Sequence, residues 1–558
     1  MFSIQEIPFS YRGSWLDISP VVAEKTYADD LHLVSHQTGL RPVLRFTPSA
    51  ASTVVASPAL LTWWHDAGRI EAVYESPDTI RLRGTGLGMR IAAAATDLTP
   101  FSGTYLYRDP VDGAHVFTSY ETGRRYRLTV LSGELEHVTG AQALGGAERC
   151  LTLPAGRPWE VAIEEYATAR RPYRTDASFD QVHRAAAAEF AGFADAVAPW
   201  RGPETPAAEL AAYVLWSATV DPAGFLARPA VLMSKHWMDK VWSWDHCFNA
   251  IALAAGRPEL AWHQFQLPFD HQDEAGALPD SVAHSEILYN YVKPPIHGWA
   301  LRHLRQRLPE PLGRGELAET YDRLARWTDF WLTARRVPGQ DLPHYQHGND
   351  SGWDNATTFD GDRVIQSADL AAFLVMQLHC LADLATELGE PAARWEQAAA
   401  RIRTAMVSQL WDGERFEARS TRTGERRAST SLLDLMPIAL GADLPEGVAS
   451  ALARGILAHL TAHGLATEPV DSPHYDADGY WRGPIWAPST VLIEDGLRRA
   501  GHTDLADEIS QRFRALCEKS GFAENFDAEA GTGLRDRAYT WTASSYLILA
   551  AAHEARRG

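Results

Sequence analysis

Long apolar runs, paired cysteines and an excess of positive charge are all missing from this chain of 558 residues. No segment reads as the apolar stretch of about 18 residues that a membrane span needs, and no basic leader followed by an apolar run opens the sequence. A membrane partner is therefore not expected, and a cytoplasmic location is the default. The four cysteines, Cys150, Cys247, Cys380 and Cys517, are scattered and form no CxxC pair. That spacing argues against a zinc knuckle and a disulfide framework, leaving reduced and mostly buried thiols. Lys and Arg number 52 against 71 Asp and Glu, a formal net charge of −19. Such a balance opposes approach to phosphate backbones, so nucleic acid is not an expected partner and a small neutral or cationic molecule is an easier one.

Several chemistries lack their signatures. Ser351, Ser544 and Ser545 stand in no G-x-S-x-G elbow, so a Ser/His/Asp triad has no support. His344 and His347 have the H-x-x-H spacing, but Pro343 and Gly348 flank them and no third ligand is evident, so no metal is expected. The Gly-rich GTGLGM (84–89) places its last Gly one residue early for a phosphate loop and reads as a turn. Aspartate-rich diphosphate motifs are absent, which disfavours a terpene cyclase or prenyltransferase. No cofactor is called for.

What is present changes character near residue 175. Before it come short runs rich in Val, Ile, Thr, Tyr and other aromatics, such as TIRLRG, HVFTSY and WEVAIEEY, cut by Gly, Pro and Asp. These predict an N-terminal antiparallel β-sandwich over 1–175. Residues 176–206 read as a helical linker, ended by RGPETPA. From 207 to 558 apolar residues recur at helical spacing in roughly twelve segments. Twelve helices without a strict repeat predict a mainly α protein whose catalytic domain is an (α/α)6 toroid of six hairpins.

Function is expected in the links between those helices. Four stand out: MSKHWMDKVWSWDH (233–246), HYQHGNDSGWDNATTFDG (344–361), HYDADGYWRGPIWAP (474–488) and GFAENFDAEAGTGLRD (521–536). Fourteen of the nineteen Trp follow residue 207, and Trp237, Trp242, Trp244, Trp353, Trp481 and Trp486 fall in these links. An indole offers a flat apolar face and one N–H donor, which suits a sugar ring; Asp245, Asp350, Asp354 and Glu524 can accept from hydroxyls. Carbohydrate is the substrate class this combination suggests. Glycoside hydrolysis needs one protonated carboxyl and one carboxylate. Asp354 follows Ser351-Gly352-Trp353, where a tight bend and an indole can screen the acid from water and raise its pKa. Glu524 lies far enough along the chain to sit on another hairpin and face it. Alternatives remain at this level: Asp354 as a helix cap or Asx turn, Glu529 in place of Glu524, and Asp350 as a hydroxyl acceptor or a brace for the acid.

Together SGWDN, WSWDHCF, YWRGPIWAP and FAENFDAEAGTG resemble the inverting α-glycosidases of glycoside hydrolase family 63, especially its bacterial mannosylglycerate and glucosylglycerate hydrolases, and more distantly the family 37 trehalases. The resemblance covers about residues 207–558. It implies Asp354 as general acid and Glu524 as general base. It also implies a sugar pocket lined by Trp242, Trp244, Asp245, Trp353, Asp350, Tyr480, Trp481, Arg482, Gly483 and Trp486. Two departures stand out: Ala356-Thr357 where many relatives have Ser-Pro, and no Gly- and Tyr-rich trehalase signature near the first motif. A trehalase-like hydrolase is thus the second activity, and a non-catalytic sugar-binding protein the reading from another class. Arg482 is expected either to meet a substrate carboxylate or to pair with Asp478. Linkage, leaving group and oligomeric state are left open.

Overall fold

The computed structural model describes residues 1–557. The chain divides into two compact units: Met1–Ala196 with Ala212–Lys240 and Ala283–Ser285 in one, and Val197–Ala211, Val241–Val282 and the chain from Glu286 onward in the other.

The first unit is built on two antiparallel sheets. The seven-stranded sheet runs in the order Phe9–Ser10, Leu16–Ala23, Thr26–Ser35, Arg41–Pro48, Met89–Ala93, Cys150–Leu153, His137–Thr139. The eight-stranded one runs Thr104–Arg108, His115–Ser119, Arg125–Ser132, Trp159–Tyr166, Thr79–Thr85, Gly68–Ser76, Leu61–His65, Thr53–Ala56. Alternate residues of both point into one shared core, including Leu33, Phe46 and Ile91 from the first and Leu82, Phe117 and Ile163 from the second. Helix α1 (Phe179–Val197) lays Phe179, Val182 and Ala186 on Val73 and Ala59 of this unit.

The boundaries expected at 175 and 207 do not follow the contacts. Helix α1 belongs with the sheets instead of acting as a linker, and residues 212–240, expected in the helical domain, belong to the first unit. Aromatic packing is one reason: Tyr213 stacks on Phe2 at 4.6 Å, and Trp216 meets Tyr11 edge-on at 5.0 Å. Buried charge is the other. Lys235 donates to Ser10 Oγ (2.9 Å) and the Ser14 carbonyl (2.6 Å), and burial pulls its pKa down to about 7. His36 stands between Asp17 (2.8 Å) and Asp239 (3.1 Å). Burial alone would lower the imidazole, but hydrogen bonds to both aspartates outweigh it and carry the pKa to about 9.

In the second unit α2 (Ala208–Ala218), which crosses the division, is followed by α3 (His246–Leu253), α4 (Pro258–Gln266), α5 (His297–Arg307), α6 (Arg314–Thr333), α7 (Ala368–Leu388), α8 (Ala393–Leu410), α9 (Glu446–Ala458), α10 (Ala487–Arg499), α11 (Thr503–Ser520) and α12 (Thr540–Arg557). Successive helices pack as pairs, α3 on α4, α7 on α8 and α10 on α11, and α12 returns to pack on α3. One expected helix is different: Leu432–Asp443 is a 3-10 run. Pro437 removes a backbone donor within it, and Gly441 breaks it at φ 60°. Contrary to the sequence reading, α7 is long and apolar enough by length and composition to cross a membrane. Most of it is buried inside the protein, as befits a central core helix.

Folding raises the pKa of His36 above its unfolded value, so its contribution to stability is complete below about pH 6.5 and fades as pH rises through about 9. Replacing it, as in His36→Leu, leaves Asp17 and Asp239 buried without a shared cation. Denaturant titration at pH 6 should then show a loss of about 3–5 kcal/mol in the first unit.

Candidate active site

The four links converge through local structure that can be traced residue by residue. Strand Val241–Trp242 pairs antiparallel with Ser281–Val282, which pairs with Ile287–Leu288. This small sheet sets Trp242 opposite Ser281 and carries Asp280 beside it. The His297 ring donates from Nε2 to the Ser243 carbonyl at 2.9 Å, fixing the peptide between the two tryptophans. Asp245 stands at the N-cap of α3 yet makes no side-chain cap bond. Its Oδ2 is buried and has no hydrogen-bond partner within the protein.

The second link is a tight loop. Gly352 adopts φ +73°, and a Cβ there would lie 2.6 Å from the Trp244 ring, so the first and second motifs touch at a point only glycine fits. Ser351 Oγ accepts from Trp353 N–H (3.1 Å) and donates to the Gly348 carbonyl (2.7 Å). Asn355 joins this loop to the third link: its Oδ1 accepts from Trp481 N–H (3.0 Å) and its Nδ2 donates to the Gly479 carbonyl (3.0 Å). In the third link Tyr480 itself has φ +63°, and Gly483 lies where a Cβ would meet the Asp476 carbonyl at 2.2 Å. Ile485 and Phe526 exchange backbone bonds of 2.7 and 3.0 Å, tying the third link to the fourth. There Glu524 N–H donates to the Asp536 carbonyl (2.7 Å), just ahead of the pairing of Asn525–Phe526 with Gly533–Leu534.

Indole rings form a continuous wall. Trp353 meets Trp481 at 4.5 Å, Trp481 stacks on Trp486 at 4.0 Å and 6°, Trp486 meets Trp541 edge-on at 5.6 Å, and Trp541 meets Trp244 at 5.5 Å. Trp541 lies on α12 and was not singled out from the sequence.

Against that wall the carboxyl groups are raised. Burial carries Glu524 to about 8, with the charge of Asp536 adding and Arg535 and the Tyr480 phenol opposing. Its Oε1 is buried and has no hydrogen-bond partner within the protein. Asp354, partly exposed, is raised by burial against the pull of Lys293. Asp245 is carried to about 8 chiefly by burial, with Asp280 and Asp354 contributing. Tyr480 is raised by burial and by the charges of Glu524 and Asp354, so one phenol senses both carboxyls. Tyr539, another residue the sequence reading missed, senses Glu524 and Asp245.

Lys293 is the most consequential omission. Nearly buried, its Nζ lies 3.1 Å from Asp280 and donates to the Asn349 carbonyl at 3.0 Å. Burial opposes its charge, but Asp280, Asp354 and Asp245 together raise its pKa. A lone lysine before Pro294-Pro295 gives no periodic signal.

Two expected contacts are corrected. Asp350 is 1% exposed, and both oxygens are taken: Oδ1 by Val292 N–H (3.1 Å), Oδ2 by Arg335 (2.6 Å) and Gln346 N–H (2.8 Å). It braces the loop from beneath. Arg482 does not pair with Asp478: it pairs with Asp360 and donates to the Asn355 carbonyl at 2.7 Å, while Arg535 takes Asp478 at 2.7 Å. Glu529, the rival to Glu524, is exposed on a turn capped by Asp527. Among the described residues no group of His, Cys, Asp or Glu could hold a metal ion.

A family model described as the mannosylglycerate hydrolase MGH1-like glycoside hydrolase domain matches residues 238–542, just over half the chain and all four links save the first few residues of one. The chain is a glycoside hydrolase of family 63. The enzyme is 26% identical over 420 residues to the mannosylglycerate hydrolase of Rubrobacter radiotolerans, an alignment covering 58% of this chain and 92% of that one. With mannosylglycerate hydrolase MGH1 of Selaginella moellendorffii it shares 22% over 386 residues, 55% of this chain and 79% of the relative. Its fold matches the family 63 mannosylglycerate hydrolase of Thermus thermophilus solved in complex with glucose, at TM-score 0.55 and 20% identity over 61% of this chain and 98% of that one. The same Thermus enzyme is also solved with Tris and D-glycerate, at TM-score 0.54. The enzyme's first 237 residues lie outside the family model.

Removing the buried cation with Lys293→Met takes away the charge that opposes protonation of Asp354 and Asp245. Carbon-detected NMR titration should then find both carboxyls protonated up to higher pH, by about one unit or more.

Proposed function

We propose that this glycoside hydrolase cleaves a terminal α-linked mannose or glucose from a small glycoside with inversion, Asp354 protonating the leaving oxygen and Glu524 activating water. The observation that carries the assignment is the pairing of the two raised carboxyls around Tyr480, backed by an indole wall and contained in the matched family segment. Burial favours the protonated form that an acid must hold at neutral pH. Glu524 offers Oε1, unsatisfied within the protein, as the oxygen that takes a proton from water. Inversion needs room for that water, about 6.5–9.5 Å between the two carboxyl groups. In this reading the helix pairs, with α12 closed on α3, form the (α/α)6 toroid whose links make the site.

Trp353, Trp481 and Trp486, stacked on one another and each about 1% exposed, back the pocket as a packed apolar wall, and Asp245 accepts from the sugar's hydroxyls. The names of the relatives point to a mannosyl residue and a glycerate leaving group. Arg482, held by Asp360 through one nitrogen and 27% exposed, keeps further N–H donors for such a carboxylate. Indoles alone would also serve a silent sugar-binding protein, but such a protein has no use for two carboxyl groups held out of water together.

Asp354→Asn and Glu524→Gln should each cut kcat about 10²- to 10⁴-fold without changing the unfolding transition. A panel of mannosylglycerate, glucosylglycerate, trehalose, kojibiose, nigerose and isomaltose identifies the substrate, and proton NMR should show the β anomer first. Retained turnover in either variant removes that residue from its role, and the α anomer first rejects inversion.

The rate should also carry a pH signature. Glu524 must be ionised to act as base, so kcat/KM should rise as pH climbs towards about 8. Arg535 opposes protonation of Glu524, so Arg535→Met should move this acidic limb to higher pH still. The limbs report the coupled pair.

A further inference from the structure

Among the described residues, four that are not glycine have positive φ: Lys25, Gln142, Tyr480 and Arg535. The last two touch. The Arg535 guanidinium carbon lies 4.9 Å from the centre of the Tyr480 ring, although one residue comes from the third link and the other from the fourth. Positive φ crowds the Cβ of an L-residue and persists only where the surrounding structure holds it. Tyr480 at 63° and Arg535 at 58° are each held by bonds that can be named.

Arg535 follows directly on the strand Gly533–Leu534, and its side chain is 16% exposed. Its Nη1 donates to Asn525 Oδ1 (2.9 Å), and Asn525 is the residue next to Glu524. Its Nη2 donates to the Asp478 carbonyl (2.8 Å) and lies 2.7 Å from Asp478 Oδ1, two residues before Tyr480. With both ends of the fork fixed, the guanidinium carbon rests over the Tyr480 ring as a cation–π contact. Trp486 meets the same ring edge-on at 5.0 Å, and its Nε1 donates to the Tyr480 carbonyl (2.8 Å). The hydroxyl of that ring hydrogen-bonds to Glu524 and favours its charged form.

We propose that Arg535 is a positioning residue for the general base: anchored to Asn525 and Asp478, it fixes the Tyr480 ring so that the phenol hydroxyl meets the Glu524 carboxyl. The inference rests on the assignment of Glu524 as base. Charge is only part of this role. A lysine would supply the same positive charge, but a single ammonium cannot bond Asn525 and Asp478 at once and also lay a flat cation on a ring. The phenol must address one carboxylate oxygen while the other stays open to water, and Oε1 is the oxygen without a protein partner. A tilt of the ring would spoil that division, because hydrogen bonds weaken steeply as distance and angle depart from their optimum.

The test uses the full-length protein and whichever glycoside of the panel the wild type cleaves. The pH-independent limit of kcat, taken from the full pH profile, removes the effect of the arginine's charge on ionisation. Arg535→Lys should lower that limit about tenfold with the unfolding transition unchanged, and Tyr480→Phe, which keeps the ring but loses the hydroxyl, should lower it by a similar factor. In the Tyr480→Phe background, Arg535→Lys should add less than about a twofold loss, because the hydroxyl it holds in place is gone. A merely structural arginine would cost the same factor in both backgrounds, and that result overturns the proposal. Wild-type kcat in Arg535→Lys would do so too, reducing the arginine to its charge, as would wild-type kcat in Tyr480→Phe, which carries the test alone should Arg535→Lys fail to fold. The assignment of Glu524 fails separately, through retained turnover in Glu524→Gln; turnover lost there but complete in Arg535→Lys defeats the positioning role alone.

Discussion

Several carboxyl groups are held out of water together with fewer cations to balance them, and the rest of the second unit is arranged around that constraint. Asp245 and Glu524 are nearly buried, Asp354 is partly so, and Lys293 and Arg535 are the cations whose charges reach them. An isolated ionised carboxylate is costly in such surroundings, and the cost is met by keeping protons that water would strip away. The indole wall from Trp353 to Trp244 maintains the low dielectric on one side, and the closely packed helices do so on the other. A site that stores protons on oxygens next to flat apolar faces is suited to cleaving an acetal, which needs a proton delivered to a poorly basic oxygen.

That arrangement makes demands on the backbone too, and three positive-φ residues meet them. Gly352, Tyr480 and Gly483 all have positive φ, and all lie within the two links that carry the stacked tryptophans. Gly352 lets the loop approach the Trp244 ring, and Gly483 lets the third link fold back on the Asp476 carbonyl. Asn355 then locks the two loops by three bonds: two through its side chain and one from Arg482 to its carbonyl. A phenol at φ +63° is the conformation least expected of a bulky residue, and it is the phenol that senses both raised carboxyls.

How much of this was legible in the sequence depended on whether the signal was local. The change of periodicity near residue 175 marked the sheets from the helices, because strand and helix spacing are read within a few residues. Asp354, Glu524, Trp244 and Asp245 are visible as residues of the links between helices, and only the family resemblance sets Glu524 apart from Glu529. Lys293 did not, since its partners Asp280, Asp245 and Asp354 come from three other segments. Arg482 was weighed against Asp478, four residues away, when its partner is Asp360, 122 residues back. The 3-10 run at Leu432–Asp443 was misread because apolar spacing spoke for a helix more loudly than Pro437 spoke against it. Residues 212–240 were assigned by helical pattern to the wrong unit: pattern identifies an element but not the surface on which its buried side chains come to rest.

Aromatic rings gather in two places in this chain, and the difference between them lies in what stands beside the ring. In the second unit indoles border carboxyls whose pKa values are raised by burial, and the combination can move a proton. On the outer sheet face of the first unit, phenols border threonine and arginine side chains, with no carboxyl among the described residues there. Aromatic rings by themselves therefore say nothing about reaction. The carboxyl groups decide that, and they act as acid and base only where water is excluded enough to shift their protonation. Glu524, buried with one oxygen unsatisfied, lies where such exclusion operates.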